Sequence, residues 1–167
     1  MKMGRYRPPV PKSAPYITQA GYERLEQELN ALWKRRAEVT KAVTAAAAEG
    51  DRSENAEYIY RKKELRGIDY RIRYLQKRLP ELTQVNNIPS DPNKIFFGAW
   101  VELEDEQGER LHYRIVGADE IGVDPRYISM DAPLATGLFK HQAEDEIHIQ
   151  SPKGKLIYSI ITVCYKD

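Results

Sequence analysis

The chain has 167 residues, 41% of them apolar and 31% charged, which suffices for one ordinary domain or two small ones and is too charged for a single large core. Its formal net charge of +1 conceals opposed halves: residues 1–80 hold 18 Lys and Arg against 10 Asp and Glu, whereas residues 81–167 hold 8 against 15. That asymmetry disfavours one uniform binding surface and favours a basic part that faces nucleic acid or another acidic surface, with an acidic part turned to something else.

Residues 1–15 read as a flexible, basic, Pro-rich arm: Lys2, Arg5, Arg7 and Lys12 are interleaved with Pro8, Pro9, Pro11 and Pro15, without the apolar stretch of a secretory signal. No run approaches the ~18 apolar residues of a membrane span, so a soluble cytoplasmic protein is expected. Cys164 is the lone cysteine and lies in the apolar run 156–165, which excludes an internal disulfide and predicts a buried thiol.

Thr18 can cap a helix over about residues 22–49, whose apolar seam recurs at Tyr22, Leu25, Leu29, Leu32, Val39, Val43 and Ala46 in alternating steps of three and four. Gly50 ends it, because glycine enters the left-handed conformation of a helix C-terminus without steric cost. A second helix is predicted from about Ser53 to Leu79, before Pro80, with a seam at Tyr58, Leu65, Ile68, Ile72, Leu75 and Leu79 and a mild weakness at Gly67. With only a few residues between them the helices must fold back as an antiparallel coiled-coil hairpin over 16–84, each arm about 40 Å long at 1.5 Å per residue. Such a hairpin satisfies its own seam, so a monomer is expected.

Residues 85–95, with Asn86, Asn87, Pro89, Ser90, Asp91 and Pro92, read as a linker. Beyond it, 96–103, 111–116, 127–129, 147–149 and 156–164 are β-rich, separated by turn signals at Gln107-Gly108, Asp124-Pro125 and Pro152-Lys153-Gly154, with a short helix expected over 132–138. The fold class is α+β: a helical hairpin followed by a small sheet with a helix over 96–167.

The phosphate-binding glycine loop and the nucleophile elbow are both missing. His112, His141 and His148 lack helical pair spacing and cysteine partners, and read as exposed or hydrogen-bonding histidines and not as zinc ligands. Four carboxylates, Glu49, Asp51, Glu54 and Glu57, cluster where the hairpin turns. Two readings of Asp51-x-x-Glu54 stand side by side. It forms a capping box for the second helix; or a carboxylate pair at the end of a rod is carried into a deep site, where it completes the coordination of a magnesium ion that otherwise takes water and phosphate oxygens. Both arms are basic, through residues such as Lys34, Arg35, Arg36, Lys41, Arg52, Arg61, Lys62, Lys63, Arg66, Arg71 and Arg73, which fits either a solvated charged face or contact with an RNA backbone. Tyr58, Tyr60, Tyr70 and Tyr74 can stack on bases or pack along the seam.

The run Gly50-Asp51-Arg52-Ser53-Glu54-Asn55-Ala56-Glu57-Tyr58, with Tyr16-Ile17-Thr18, Phe96-Phe97-Gly98-Ala99-Trp100-Val101, Arg114-Ile115-Val116-Gly117, Asp119-Glu120-Ile121 and 127–133, resembles the Gre transcript-cleavage factors of bacterial RNA polymerase, and the GreB branch most closely. The resemblance spans almost the whole chain after the arm. It implies an FKBP-like second domain, and a hairpin that enters the polymerase's secondary channel. There Asp51 and Glu54 would help hold magnesium and the attacking water at the polymerase active site, which itself cuts the backtracked RNA. The chain would then be a stimulating factor and not an enzyme, binding no metal by itself. Arg52, Arg61, Lys62, Lys63 and Arg66 would contact the extruded 3′ RNA, and Asp131, Ala132 and Pro133 would dock on the polymerase. One departure is Glu144, where relatives carry a glycine before the aspartate, so a turn of the second domain is expected to differ. The competing readings are a non-cleaving regulator of the same channel, a prolyl isomerase or peptide-binding module, and a generic RNA-binding coiled coil.

Overall fold

The computed structural model describes residues 12–50 and 55–166. It resolves into two compact units: 17–86 form one, and 87–166 together with 12–16 form the other.

Strand β1 (Tyr16–Ile17) spans the boundary at 16/17, and the first unit continues from Ile17 into helix α1 (Gln19–Ala47). Thr18 caps α1 by accepting the Gly21 amide at 3.0 Å, and Ile17 and Tyr22 flank that cap within one apolar cluster, a hydrophobic staple that fixes how the chain enters the helix. Helix α1 stops at Ala47, two residues short of the expected end, and Gly50 follows with φ +134°, a conformation L side chains rarely adopt. Helix α2 (Ala56–Arg78) starts three residues later than expected, because the residue that caps it is Asn55. A single 3-10 turn, Leu79–Glu81, carries the chain over Pro80, and strand β2 (Thr83–Gln84) returns beside β1.

The predicted seam is observed except at Tyr58, which is half-buried and lies in neither apolar cluster. Leu25, Leu75, Leu79, Leu82 and Ile17 bury together with Tyr22, Leu29 and Leu32 against them; further along, Val39, Ile68 and Ile72 pack with Val43 and Leu65. Ion pairs join the two arms beside the seam: Arg36 to Asp69 at 2.6 Å, Arg35 to Glu64 at 2.7 Å and Arg71 to Glu28 at 2.7 Å. Pairs this exposed contribute about 0.2–1 kcal/mol each, so they fix register more than they stabilise.

The second unit is a five-stranded sheet in the order β5-β4-β3-β7-β6, built from β3 (Trp100–Glu104), β4 (Arg110–Val116), β5 (Tyr127–Ser129), β6 (Glu146–Ser151) and β7 (Gly154–Cys164). All neighbours are antiparallel except β4 and β5, which are parallel. Helix α3 (Pro133–Leu138) covers one face, where Ala135 and Leu138 pack with Val101, Leu103, Ile115, Ile147, Ile149 and Ile160. Gly137 permits that approach, since a Cβ there would lie 2.2 Å from Cδ1 of Ile149. Ile95, at the end of the expected linker, is fully buried in this core.

Two expectations are corrected. Residues 96–99 are not strand: the Ala99 amide bonds to the Phe96 carbonyl at 3.2 Å and Gly98 takes φ +87°, so the extended run begins only at Trp100. Cys164 is exposed, not buried, because it pairs with Trp100 on the outward side of the strands while its neighbour Val163 pairs with Val101 on the core side.

The turn around Glu144 keeps the conformation a glycine would take: Glu144 has φ +75°, and its amide still bonds to the Ile160 carbonyl at 2.8 Å. A left-handed non-glycine residue costs ~1–2 kcal/mol, part of which glycine's greater unfolded-state entropy takes back. Glu144→Gly is therefore expected to stabilise the second unit by about 0.5–1 kcal/mol, read as a rise of about 4 °C in its melting midpoint; no rise would mean that this turn carries no strain.

Candidate functional site

Asp51, Arg52 and Glu54 lie outside the described residues, so the frame that holds the tip is the informative part. Asn55 performs two tasks there. Its Oδ1 accepts the Tyr58 amide at 3.0 Å, which caps α2, and its Nδ2 donates to the Ala46 carbonyl at 2.8 Å, which ties the start of α2 to the end of α1. The cap expected at Asp51 is thus supplied four residues later. One side chain closes both frayed helix ends across the turn.

Changing Asn55 separates these tasks. Asn55→Asp keeps an oxygen for the Tyr58 amide but sets a second acceptor against the Ala46 carbonyl, whereas Asn55→Ala removes both bonds. We expect each to cost the hairpin about 1–2 kcal/mol, with hydrogen-exchange protection of the Tyr58 amide retained in the aspartate variant and lost in the alanine variant. Equal protection in both would show that the cap lies elsewhere.

The basic residues divide. Arg61 is committed: its guanidinium bonds Glu57 at 2.8 Å and Glu64 at 3.0 Å, while Glu64 also receives Arg35 from α1. The Arg35 bond foremost, with that from Arg61 behind it, holds the Glu64 carboxyl below the usual carboxylate range; Glu57 foremost raises Arg61, and Glu64 raises Arg35. Lys62, Lys63 and Arg66 are exposed, and Lys62 lies 5.2 Å from the Tyr58 ring centre. Among the described residues Lys63 and Arg66 make no ion pair. At helical spacing they continue an exposed stripe of Ile59, Lys63, Arg66, Tyr70, Arg73 and Lys77, in which Tyr70 is 70% exposed and so available for stacking. Tyr58 is half-buried, and Tyr60 is exposed with Arg61 over its ring at 5.4 Å.

Asp131, Ala132 and Pro133 form the corner between β5 and α3. Asp131 is exposed, its amide bonds Ser129 Oγ at 3.1 Å, the Ala132 amide bonds the Ser129 carbonyl at 2.9 Å, and Pro133 opens α3. The histidines are accounted for locally: His141 meets Asp145 at 3.2 Å, His148 meets Glu146 at 2.9 Å, and the His112 ring lies 5.0 Å from that of Trp100. Among the described residues no group of His, Cys, Asp and Glu is arranged to hold a metal ion.

Sequence reasoning misses Asn55 and Glu64. Asparagine is among the best N-caps, so Asn55 is open to detection, but Asp51 and Ser53 compete for the same role. Glu64 looks like one charge among many, since its partners are 29 residues away and 3 residues away.

Both the hairpin and the small α+β sheet domain match models of known families. The family model described as transcription elongation factor, N-terminal, matches residues 15–83, and that described as transcription elongation factor, GreA/GreB, C-term, matches residues 89–165. The chain belongs to the GreA/GreB family of transcription elongation factors. It is 51% identical over 164 residues to transcription elongation factor GreB of Pseudomonas aeruginosa and 53% identical over 165 residues to that of Xanthomonas axonopodis pv. citri, in each case over 98% of both chains. Among solved structures it is similar to the GreA factor homolog 1 protein of Thermus thermophilus, at 30% identity and a TM-score of 0.41, over 89% of this chain and 97% of that one.

Proposed function

We propose that this protein enters the secondary channel of bacterial RNA polymerase hairpin first and stimulates the polymerase's own magnesium-dependent cleavage of backtracked RNA, so that arrested complexes resume. The observation that carries the reading is the pair of hydrogen bonds made by the Asn55 side chain. By capping α2 and tying it to α1, Asn55 takes over the role that would otherwise claim the tip carboxylates. Asp51 and Glu54 fit magnesium by chemistry, since two hard oxygen donors leave positions for water and phosphate oxygens, and they would help hold the ion at the polymerase active site. With the ion held there by Asp51 and Glu54, the chemistry supplied would be activation of water and stabilisation of charge on the leaving oxygen.

The chain's own residues guide and position. Lys62, Lys63 and Arg66, with Arg52, contact the phosphates of the extruded 3′ RNA, and Arg61 acts from within its carboxylate pair, bracing the hairpin as much as meeting RNA. Asp131, Ala132 and Pro133 dock on the polymerase. The protein works as a monomer in the cytoplasm, and no described helix is long and apolar enough to cross a membrane. The test is release of short 3′ RNA fragments from a stalled, backtracked polymerase complex in magnesium. Stimulation by the full chain supports the reading. Binding without stimulation overturns it in favour of a non-cleaving occupant of the channel.

A further inference from the structure

No motif assigns a role to the arm before the first helix, yet its described end is held in place. Residues 12–16 belong to the second unit and not to the hairpin they lead into. The Ala14 amide donates to Oδ2 of Asp131 at 3.0 Å, across 117 positions of sequence. Two residues on, the Tyr16 carbonyl runs so close to Gly117 that a Cβ there would meet its oxygen at 2.1 Å. The arm is thus fitted against the end of β4 and against the corner that carries Asp131.

The Asp131 backbone is already fixed by Ser129, through the 3.1 Å bond to Ser129 Oγ, but its side chain is exposed and would otherwise rotate. A carboxylate offers about four lone-pair sites, and one amide uses one of them, so the contact orients the group without covering it. We propose that the Ala14 amide is a positioning group for polymerase docking: it holds Oδ2 of Asp131 and presents Oδ1 to a hydrogen-bond donor, a guanidinium or ammonium, on the polymerase surface. Fixing the side chain beforehand removes an ordering cost from binding. The inference rests on the docking role proposed for Asp131.

Because the donor is a backbone N–H, proline can delete it. Ala14 precedes Pro15 and is already restricted to extended conformations, which two consecutive prolines also adopt; Ala14→Gly keeps the donor. The readout is RNA release from backtracked polymerase complexes, taken as the factor concentration at half-maximal rate and as the rate at saturation. Ala14→Pro is expected to raise the half-saturating concentration by about 3- to 10-fold and to leave the saturating rate unchanged, with Ala14→Gly restoring the parent value. A chain truncated to start at Pro15 should show the same shift as Ala14→Pro. In an Asp131→Ala background Ala14→Pro should add nothing, because the two groups act through one bond.

An undiminished effect of Ala14→Pro in that background would overturn the inference, as would no effect in the parent. If Asp131→Ala weakens docking and Ala14→Pro does not, only the inference falls. If Asp131→Ala itself leaves the half-saturating concentration unchanged, the docking role falls and takes the inference with it.

Discussion

Asp51→Ala is expected to slow RNA release at saturating factor by about 100-fold, ~2.7 kcal/mol in the barrier, while affinity for the polymerase stays within about twofold. A carboxylate that acts only once the hairpin is seated contributes to the reaction step and little to binding, so its loss falls on the saturating rate. Glu54→Ala should act in the same direction. The double variant should cost little more than either single one, because a ligand pair works as a unit. The hairpin itself should stay folded, since Asn55 caps α2 and is left in place. Raising magnesium is expected to recover part of the lost rate in the single variants. A parent-like rate from Asp51→Ala would show that the tip carboxylates do not serve the reaction.

Leu75→Ala is expected to destabilise the hairpin by about 3 kcal/mol. Leu75 is completely buried where Ile17, Leu25, Leu79 and Leu82 meet, and a narrow two-helix seam has no second layer able to relax into the cavity. Against a total stability of about 5–15 kcal/mol for a whole domain, that loss is large. The second unit has its own core around Leu103, Leu138 and Ile160 and should not follow. The chain's two tryptophans separate the outcomes, because Trp33 lies on α1 and Trp100 on β3. Denaturant melts of Trp33→Phe and Trp100→Phe versions of Leu75→Ala should show an early transition from the hairpin signal and an unshifted one from the sheet. A joint shift would mean that the two units unfold as one.

The sequence is most legible where one periodicity dominates. The hairpin seam can be read residue by residue, since α1 and α2 bury one stripe apiece and the register follows from apolar spacing. Turn signals locate strand β5 to the residue, whereas the start of β3 escapes them, because the aromatic run at Phe96 and Phe97 looks β-rich while Gly98 bends the chain. Cys164 is misread for a related reason: an apolar run has no visible alternation, so its outward positions cannot be told from its inward ones until the partner strand is known. The division of the tip's cations into a braced Arg61 and an open Lys63 and Arg66 depends on Glu64 and Arg35, which meet only after the hairpin closes. The contact of Ala14 with Asp131 has no local signature at all.

That last contact bears on the order in which the molecule can assemble. Ala14 and Asp131 are 117 positions apart, so this contact of the second unit cannot close until the chain between them has been made. The hairpin lies between them and is local enough to form earlier, which brings the Val85 amide to the Ile17 carbonyl at 2.8 Å. Once that bond is made, the stretch the arm must span contracts from over a hundred residues to roughly 50, easing closure by ~0.8 kcal/mol. The hairpin thus doubles as a clasp that shortens the loop the second unit must close.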